Sequence, residues 1–158
     1  MTTDDAAAVA ALVAGSWERT YVPLIGEEKV RSQNAQIHTP DRIAADMTRP
    51  HSESFVAVTG DGAVVGYAFA DVVKGVLWLD RLHVAEDHQG SGVAAGLLHA
   101  VMANYVGEPS ISLEVIEANQ RAVGFYEKQG FQVVERKSAC GSIDGVPTLV
   151  MRRALSRA

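Results

Sequence analysis

The chain is almost without cysteine: a single thiol, Cys140, leaves no internal disulfide framework and no cysteine-based zinc cluster. Such usage is compatible with a reducing compartment. Positive charge is also in short supply, with 14 Lys and Arg against 19 Asp and Glu and a formal net charge of −5. A dedicated nucleic-acid binder would carry a basic patch or stripe, so this balance argues against one. No segment approaches the roughly 18 apolar residues of a membrane span. The longest apolar run, residues 6–15, follows Asp4 and Asp5, whereas a secretory signal opens with positive charge. Repeats and low-complexity linkers are missing too, so residues 1–158 read as one domain, and the default location is the cytoplasm. What is there is apolar material: 47% hydrophobic residues can bury a proper core.

The first third of the chain has helical patterning. Thr3 or Asp4 can cap a helix along which Val9, Val13 and Trp17, with Leu12, form an i, i+4 stripe. Pro23 and Gly26 are breakers, so residues 21–34 read as irregular. Thr39-Pro40-Asp41 reads as an N-cap with Pro at the first helical position, opening a short helix to about Thr48 that Arg49-Pro50 ends.

The period then changes. Residues 54–59, 63–73 and 76–84 read as strands joined by Gly60-Asp61-Gly62 and Lys74-Gly75, and such short connections imply antiparallel neighbours. A helix over residues 92–105 places Val93, Leu97, Val101 and Tyr105 on one face, backed by Ala94, Leu98 and Met102. A strand follows at 110–116, then a helix capped by Asn119 and closed by Gly130. Strands 131–137 and 146–152 end the chain, with a polar turn over 138–145 between them. The fold class is α+β in three layers (α/β/α). Its mixed, mostly antiparallel sheet contains one parallel strand–helix–strand crossover across residues 76–116.

Gly90-Ser91-Gly92-Val93-Ala94-Ala95 matches the dinucleotide fingerprint G-x-G-x-x-A, with an acidic residue, Glu114, in the next strand. Topology argues against that reading. A Rossmann domain needs several parallel βα units after its fingerprint, and only one more helix remains here. A plain glycine turn without a ligand is the bland alternative.

Shifted one residue, Gln89-Gly90-Ser91-Gly92-Val93-Ala94 fits (Arg/Gln)-x-x-Gly-x-(Gly/Ala), preceded by the strand Leu79-Asp80-Arg81-Leu82-His83-Val84. Downstream stands Asn119-Gln120-Arg121-Ala122-Val123-Gly124-Phe125-Tyr126-Glu127-Lys128-Gln129-Gly130-Phe131. Together these resemble the GCN5-related N-acetyltransferases, the GNAT family, over residues 76–137. The N-terminal Ala14-Gly15-Ser16-Trp17, with Tyr21 before Pro23-Leu24, is similar to a common bacterial subgroup. One departure stands out, because the family usually begins with a strand and few residues precede the first helix here.

The resemblance implies acetyl-CoA as cofactor and a splayed parallel strand pair that receives it. Backbone N–H groups of Gln89, Gly90, Ser91, Gly92, Val93 and Ala94 would hold the pyrophosphate, with a side-chain contact from Gln89. Leu82, His83 and Val84 would pair with the pantetheine arm, the Val84 N–H polarising the thioester carbonyl. Tyr126 matches the general acid that protonates the leaving thiolate, although Val123 and Phe125 beside it also suit a core tyrosine. Asn119 would both cap its helix and contact the cofactor. Alternation along the strand puts Asp80 with Trp78, Leu82 and Val84, which makes it the candidate base; a water relay stays open, and Glu114 and Glu117 are weaker candidates. His83 points to the other face and suits a packed histidine. Trp17 and Tyr21 are candidates for the acceptor wall or for core packing. His83 and His88 span a strand end and a loop, unlike a helical zinc pair, and no metal is expected. The implied activity is direct transfer of acetyl to a primary amine of a small molecule, or of a peptide or protein N-terminus. The net charge favours a cationic acceptor. A homodimer is common in such families, and a non-catalytic acyl-CoA-binding module is the alternative function.

Overall fold

The computed structural model describes residues 1–140 and 143–155. Six strands form one open sheet: β1 (Ser52–Val58), β2 (Val64–Val73), β3 (Val76–Val84), β4 (Ser110–Ile116), β5 (Gln132–Cys140) and β6 (Ile143–Ala154), in the order β1-β2-β3-β4-β6-β5. All neighbours are antiparallel except β3 and β4. Helices α1 (Ala6–Ile25), α2 (Glu27–Ile37) and α3 (Pro40–Asp46) precede the sheet; α4 (Val93–Asn104) and α5 (Gln120–Lys128) follow β3 and β4. A single 3-10 turn, Thr3–Asp5, leads into α1, and no strand precedes it among the described residues. No described helix is long and apolar enough to cross a membrane.

Each face of the sheet has its own core. Ala68, Ala70, Leu77, Leu79 and Leu113 pack on one face with Leu97, Leu98 and Val101 of α4 and Val123 of α5. Tyr67 and Phe69 pack on the other with Val9 and Val13 of α1 and Ile43 of α3. The two sets alternate along β2, as side chains of a strand buried on both faces must. Gly66 brings α4 close, since a Cβ there would lie 2.8 Å from Val93 and 2.9 Å from Leu97.

Two expectations about element boundaries are corrected. Residues 21–34 are helical, interrupted only at Gly26. Pro23 lies within α1, and the break is confined to Gly26, whose φ of +93° suits glycine alone and whose N–H closes α1 on the Val22 carbonyl at 3.0 Å. The polar turn at 138–145 contracts, because Ala139 pairs with Asp144 and Cys140 with Ile143. Residues 141–142 and the side chain of Cys140 lie outside the described residues. Two N-caps follow expectation: Thr39 Oγ1 accepts from the Arg42 N–H at 3.2 Å, and Asn119 Oδ1 from the Ala122 N–H at 3.3 Å. The cap expected at Thr3 or Asp4 does not form: both lie inside the 3-10 turn, whose N-cap is Thr2, and Asp5 precedes α1 without a side-chain cap.

Two irregularities of β3 position the site. The parallel ladder joins only Leu77 to Ile111 and Trp78 to Ser112, after which β3 and β4 part. On the other edge of β3 the register to β2 shifts: Phe69 opposes Arg81 but Ala70 opposes Leu79. Asp80 is the extra residue of a β-bulge. The strict alternation expected for Trp78, Asp80, Leu82 and Val84 therefore fails. Leu77, Leu79 and Leu82 face α4 and α5, while Arg81 and His83 face α3 and α1. Asp80 is turned to the α3 side, away from Leu82, with its carboxylate 4.0 Å from Arg49.

Candidate active site

A cleft of about 1110 Å³ opens where β3 and β4 part. Its walls are the end of β3, the loop into α4, α5, and the inner faces of α1 and α2. Of the residues expected at the site, Asp80, Leu82, His83, Val84, Gln89, Gly90, Gly92, Ala94, Asn119 and Tyr126 all border it. Ser91 and Val93 do not: Ser91 donates its hydroxyl to the His88 carbonyl, and Val93 packs into the core.

The loop owes its shape to two glycines. Gly90 and Gly92 have φ of +79° and +88°, and a Cβ at either would meet nothing within 4 Å. Backbone conformation, not crowding, requires glycine here. The Gly96 N–H donates to the Gly92 carbonyl at 2.9 Å, so the N–H groups of Val93, Ala94 and Ala95 lie ahead of the first intrahelical donor. They sit at the positive end of the α4 dipole. The Gln89 amide donates to the Val84 carbonyl at 3.4 Å, tying the loop to the end of β3.

Across the cleft, the Tyr126 ring is packed edge-on between Phe125 and Phe131, at 5.2 and 5.5 Å between centroids. Burial first, and the neighbouring Tyr21 second, push its phenol above the ordinary range. Tyr21 accepts a hydrogen bond from Asn119 Nδ2 at 3.2 Å and packs on Trp17 at 4.4 Å. Trp17 in turn lies 5.0 Å from the His38 ring. Trp17 and Tyr21 thus belong both to the packing of α1 and to the cleft wall.

The polar end of the cleft is a charge network. Asp46 is 2% exposed and receives Arg81 at 2.7 Å, Arg42 at 3.5 Å and Arg49 at 3.7 Å. Arg49 also bonds Asp71 and reaches Asp80. Desolvation, then the hydrogen bond and charge of Asp71, push the Asp80 carboxyl up to about 8 against the pull of Arg49 and Arg81. His83 Nδ1 lies 3.0 Å from Ser16 Oγ, and desolvation, then His38 and Arg81, lower its pKa to about 3. His38, 2.7 Å from Asn34 Oδ1, is lowered to about 4 by burial and Arg81. Glu114 is paired with Lys137 at 2.7 Å, and Glu117 with Arg136 at the surface at 2.9 Å.

Sequence reasoning missed Asp71, Arg49 and Ser16. For Asp71 a signal existed: the Lys74-Gly75 turn sets it opposite Trp78, two residues from Asp80.

The comparisons with known proteins agree with this fold. A model of the acetyltransferase (GNAT) family matches residues 16–131. An uncharacterized N-acetyltransferase of Mycobacterium tuberculosis is 31% identical over 134 residues, covering 82% of this chain and 84% of its own. The spermine/spermidine N(1)-acetyltransferase of Bacillus subtilis is 27% identical over 113 residues, 65% of this chain and 74% of its own. Among solved structures, the PaiA N-acetyltransferase of Thermoplasma acidophilum, crystallised in complex with coenzyme A, aligns with a TM-score of 0.83 at 19% identity, over 98% of this chain and 95% of its own. The chain belongs to the acetyltransferase (GNAT) family.

Proposed function

We propose that the protein transfers the acetyl group of acetyl-CoA directly to a primary amine, on a small molecule or at a peptide or protein N-terminus. The observation that carries this reading is the parting of β3 from β4 beside a glycine loop that opens a helix. The site fits an acyl-CoA. Free N–H groups and a positive helix end suit a pyrophosphate, and the parted strand edge suits an amide-bearing arm. The coenzyme A held by the Thermoplasma relative supports the same reading. Bound acetyl-CoA would supply an activated thioester carbonyl and a thiol leaving group.

The residues divide the remaining work. Gly90, Ser91, Gly92, Val93 and Ala94 present backbone N–H groups to the phosphates, Ser91 and Val93 by main chain alone; the Gln89 N–H is bonded to the Glu86 carbonyl at 3.3 Å, and Gln89 acts through its side chain. Leu82, His83 and Val84 offer the strand edge, and the Val84 N–H stabilises the developing oxyanion. Asn119 holds the start of α5 and, through Tyr21, the acceptor wall. Asp80 takes a proton from the ammonium group of the acceptor. The neutral nitrogen forms its bond to the carbonyl carbon, the C–S bond breaks, and Tyr126 O–H gives its proton to the sulfur. The second proton, shed by the cationic nitrogen as the amide forms, restores the Tyr126 phenol. One proton is released to solvent for each amide made.

The amine class printed for the Bacillus relative, spermine and spermidine, makes polyamines the first acceptors to try. The test is a panel of polyamines, amino acids, aminoglycosides and peptides incubated with acetyl-CoA, with free thiol as the readout. Amine-dependent thiol release is expected. Coenzyme A binding without turnover on any amine would favour a non-catalytic acyl-CoA module, and NAD(H) binding in its place would overturn the reading.

A further inference from the structure

We propose that Asp71 and Asp80 act as one carboxyl pair that shares a proton at the acceptor end of the cleft, with Asp71 the positioning residue and Arg49 the counter-ion of both. The inference rests on Asp80 as the base and adds that its proton affinity is set by a partner on the neighbouring strand.

The geometry comes from the bulge. Without it, Asp80 would lie on the face of Leu82. With it, Asp80 joins the face of β2 that carries Asp71, which opposes Trp78 in the register. Asp71 is 2% exposed. Arg49 bonds its Oδ2, while its Oδ1 is buried with no hydrogen-bond partner among the described residues. A buried acceptor in that position calls for a donor. Ser52, opposite Asp71 on β1, commits its hydroxyl to the Arg49 carbonyl at 2.7 Å. Tyr105, beyond the end of α4, donates to the carbonyls of His51 and Ala70. Asp80, once protonated, is the neighbour able to donate, and two adjacent ionised carboxyls would repel.

The surrounding charges make the pair respond to its setting. From α3 and its end come Asp46, Arg42 and Arg49, and from β3 comes Arg81, which Asp46 binds. Tyr67 on β2 interacts with Arg81, and His38 and His83 are neutral beside it. Arg49, 41% exposed, is the cation that touches both members. The raised pKa of Asp80, with Asp71 among its causes, agrees with a shared proton. Once ionised, the pair takes the ammonium proton as a unit: the N–H bond breaks and leaves its electrons on nitrogen as the lone pair for attack, and one O–H bond forms on Asp80 with its hydrogen directed to Asp71.

The test has two readouts. In the ligand-free protein labelled with ¹³C at the Asp carboxyls, the resonance lost in Asp80→Asn should titrate near pH 8 in the native protein. It should move at least one pH unit lower in Asp71→Asn and higher in Arg49→Gln. In turnover, the acid limb of the kcat/KM profile should shift with the same two signs. An Asp80 resonance that titrates in the ordinary carboxylate range, or does not move in Asp71→Asn, overturns the pair. A shift in Arg49→Gln that is absent or downward also overturns it. Should Asp71→Asn fail to fold, the native titration and Arg49→Gln decide alone. If Asp80→Asn keeps full turnover with an unmoved acid limb, the base assignment fails, while the ¹³C titration still reports on whether the proton is shared.

Discussion

A tyrosine between two phenylalanines invites a packing explanation, and Tyr126 has one. The same packing suits the proposed chemistry, because the rings of Phe125 and Phe131 hold the phenol at the border of the cleft. Desolvation keeps its proton in place at neutral pH, so the group can act as an acid only toward a strong base appearing beside it, such as a thiolate. Tyr126→Phe keeps the rings and removes the proton. Turnover should fall by about 10²-fold, in line with loss of a general acid, with affinity for coenzyme A unchanged. Steady-state kinetics and calorimetric titration check the two halves. Equal turnover at every pH would remove Tyr126 from the mechanism. The places of Tyr126 and Asn119 beside the cleft were legible because one contiguous stretch, 119–131, carries both. Asp80 was legible as a residue, but its orientation was not, since a bulge is a property of two strands. The Lys74-Gly75 turn signals that Asp71 opposes Trp78, but its meeting with Asp80 depends on the same bulge.

At the scale of elements, the start of α4 concentrates the argument. Gly92 occupies the N-cap position at φ +88°, where a side chain is strained, and the space outside it is open. Asp is among the favoured N-cap residues, so Gly92→Asp brings helix capping against that strain and should leave the fold intact. What it changes is charge: a carboxylate would stand where phosphates are proposed to sit. Coenzyme A affinity should drop at least about 100-fold, several times the effect of one charge at a helix end, because bulk and repulsion act together. Far-UV circular dichroism checks the fold and calorimetry the affinity; a retained affinity would mean that the loop holds something else. The elements that sequence placed well, β3, β4 and α4, are those with strong periodicity between glycine turns. The misplaced ones broke local rules for nonlocal reasons. Pro23 is carried inside a helix packed on β2 and β3, and the β5–β6 hairpin extends through the pairing of Ala139 with Asp144 and Cys140 with Ile143.

For the whole molecule, three groups with displaced proton affinities predict a stability curve with a maximum. His38 and His83 bind protons more weakly folded than unfolded, with pKa lowered from 6.5 to about 4 and about 3. Their contribution is complete above pH 6.5 and is lost as the pH falls below it, because the unfolded chain then takes up protons that the folded chain refuses. Asp80 has the opposite sign. Its folded pKa, raised from 3.8 to about 8, makes the folded state the tighter proton binder, so its contribution declines as the pH rises from about 4 to 8. Between pH 4 and 6.5 two histidines outweigh one aspartate, and stability rises with pH; between 6.5 and 8 the aspartate acts alone, and stability falls. Urea midpoints at pH 5, 6.5 and 8 should therefore peak at the middle value. His38→Gln should flatten the acid side and Asp80→Asn the alkaline side. A midpoint that climbs steadily from pH 5 to 8 would show that Asp80 does not hold its proton in the folded protein, and the carboxyl pair would fall with it.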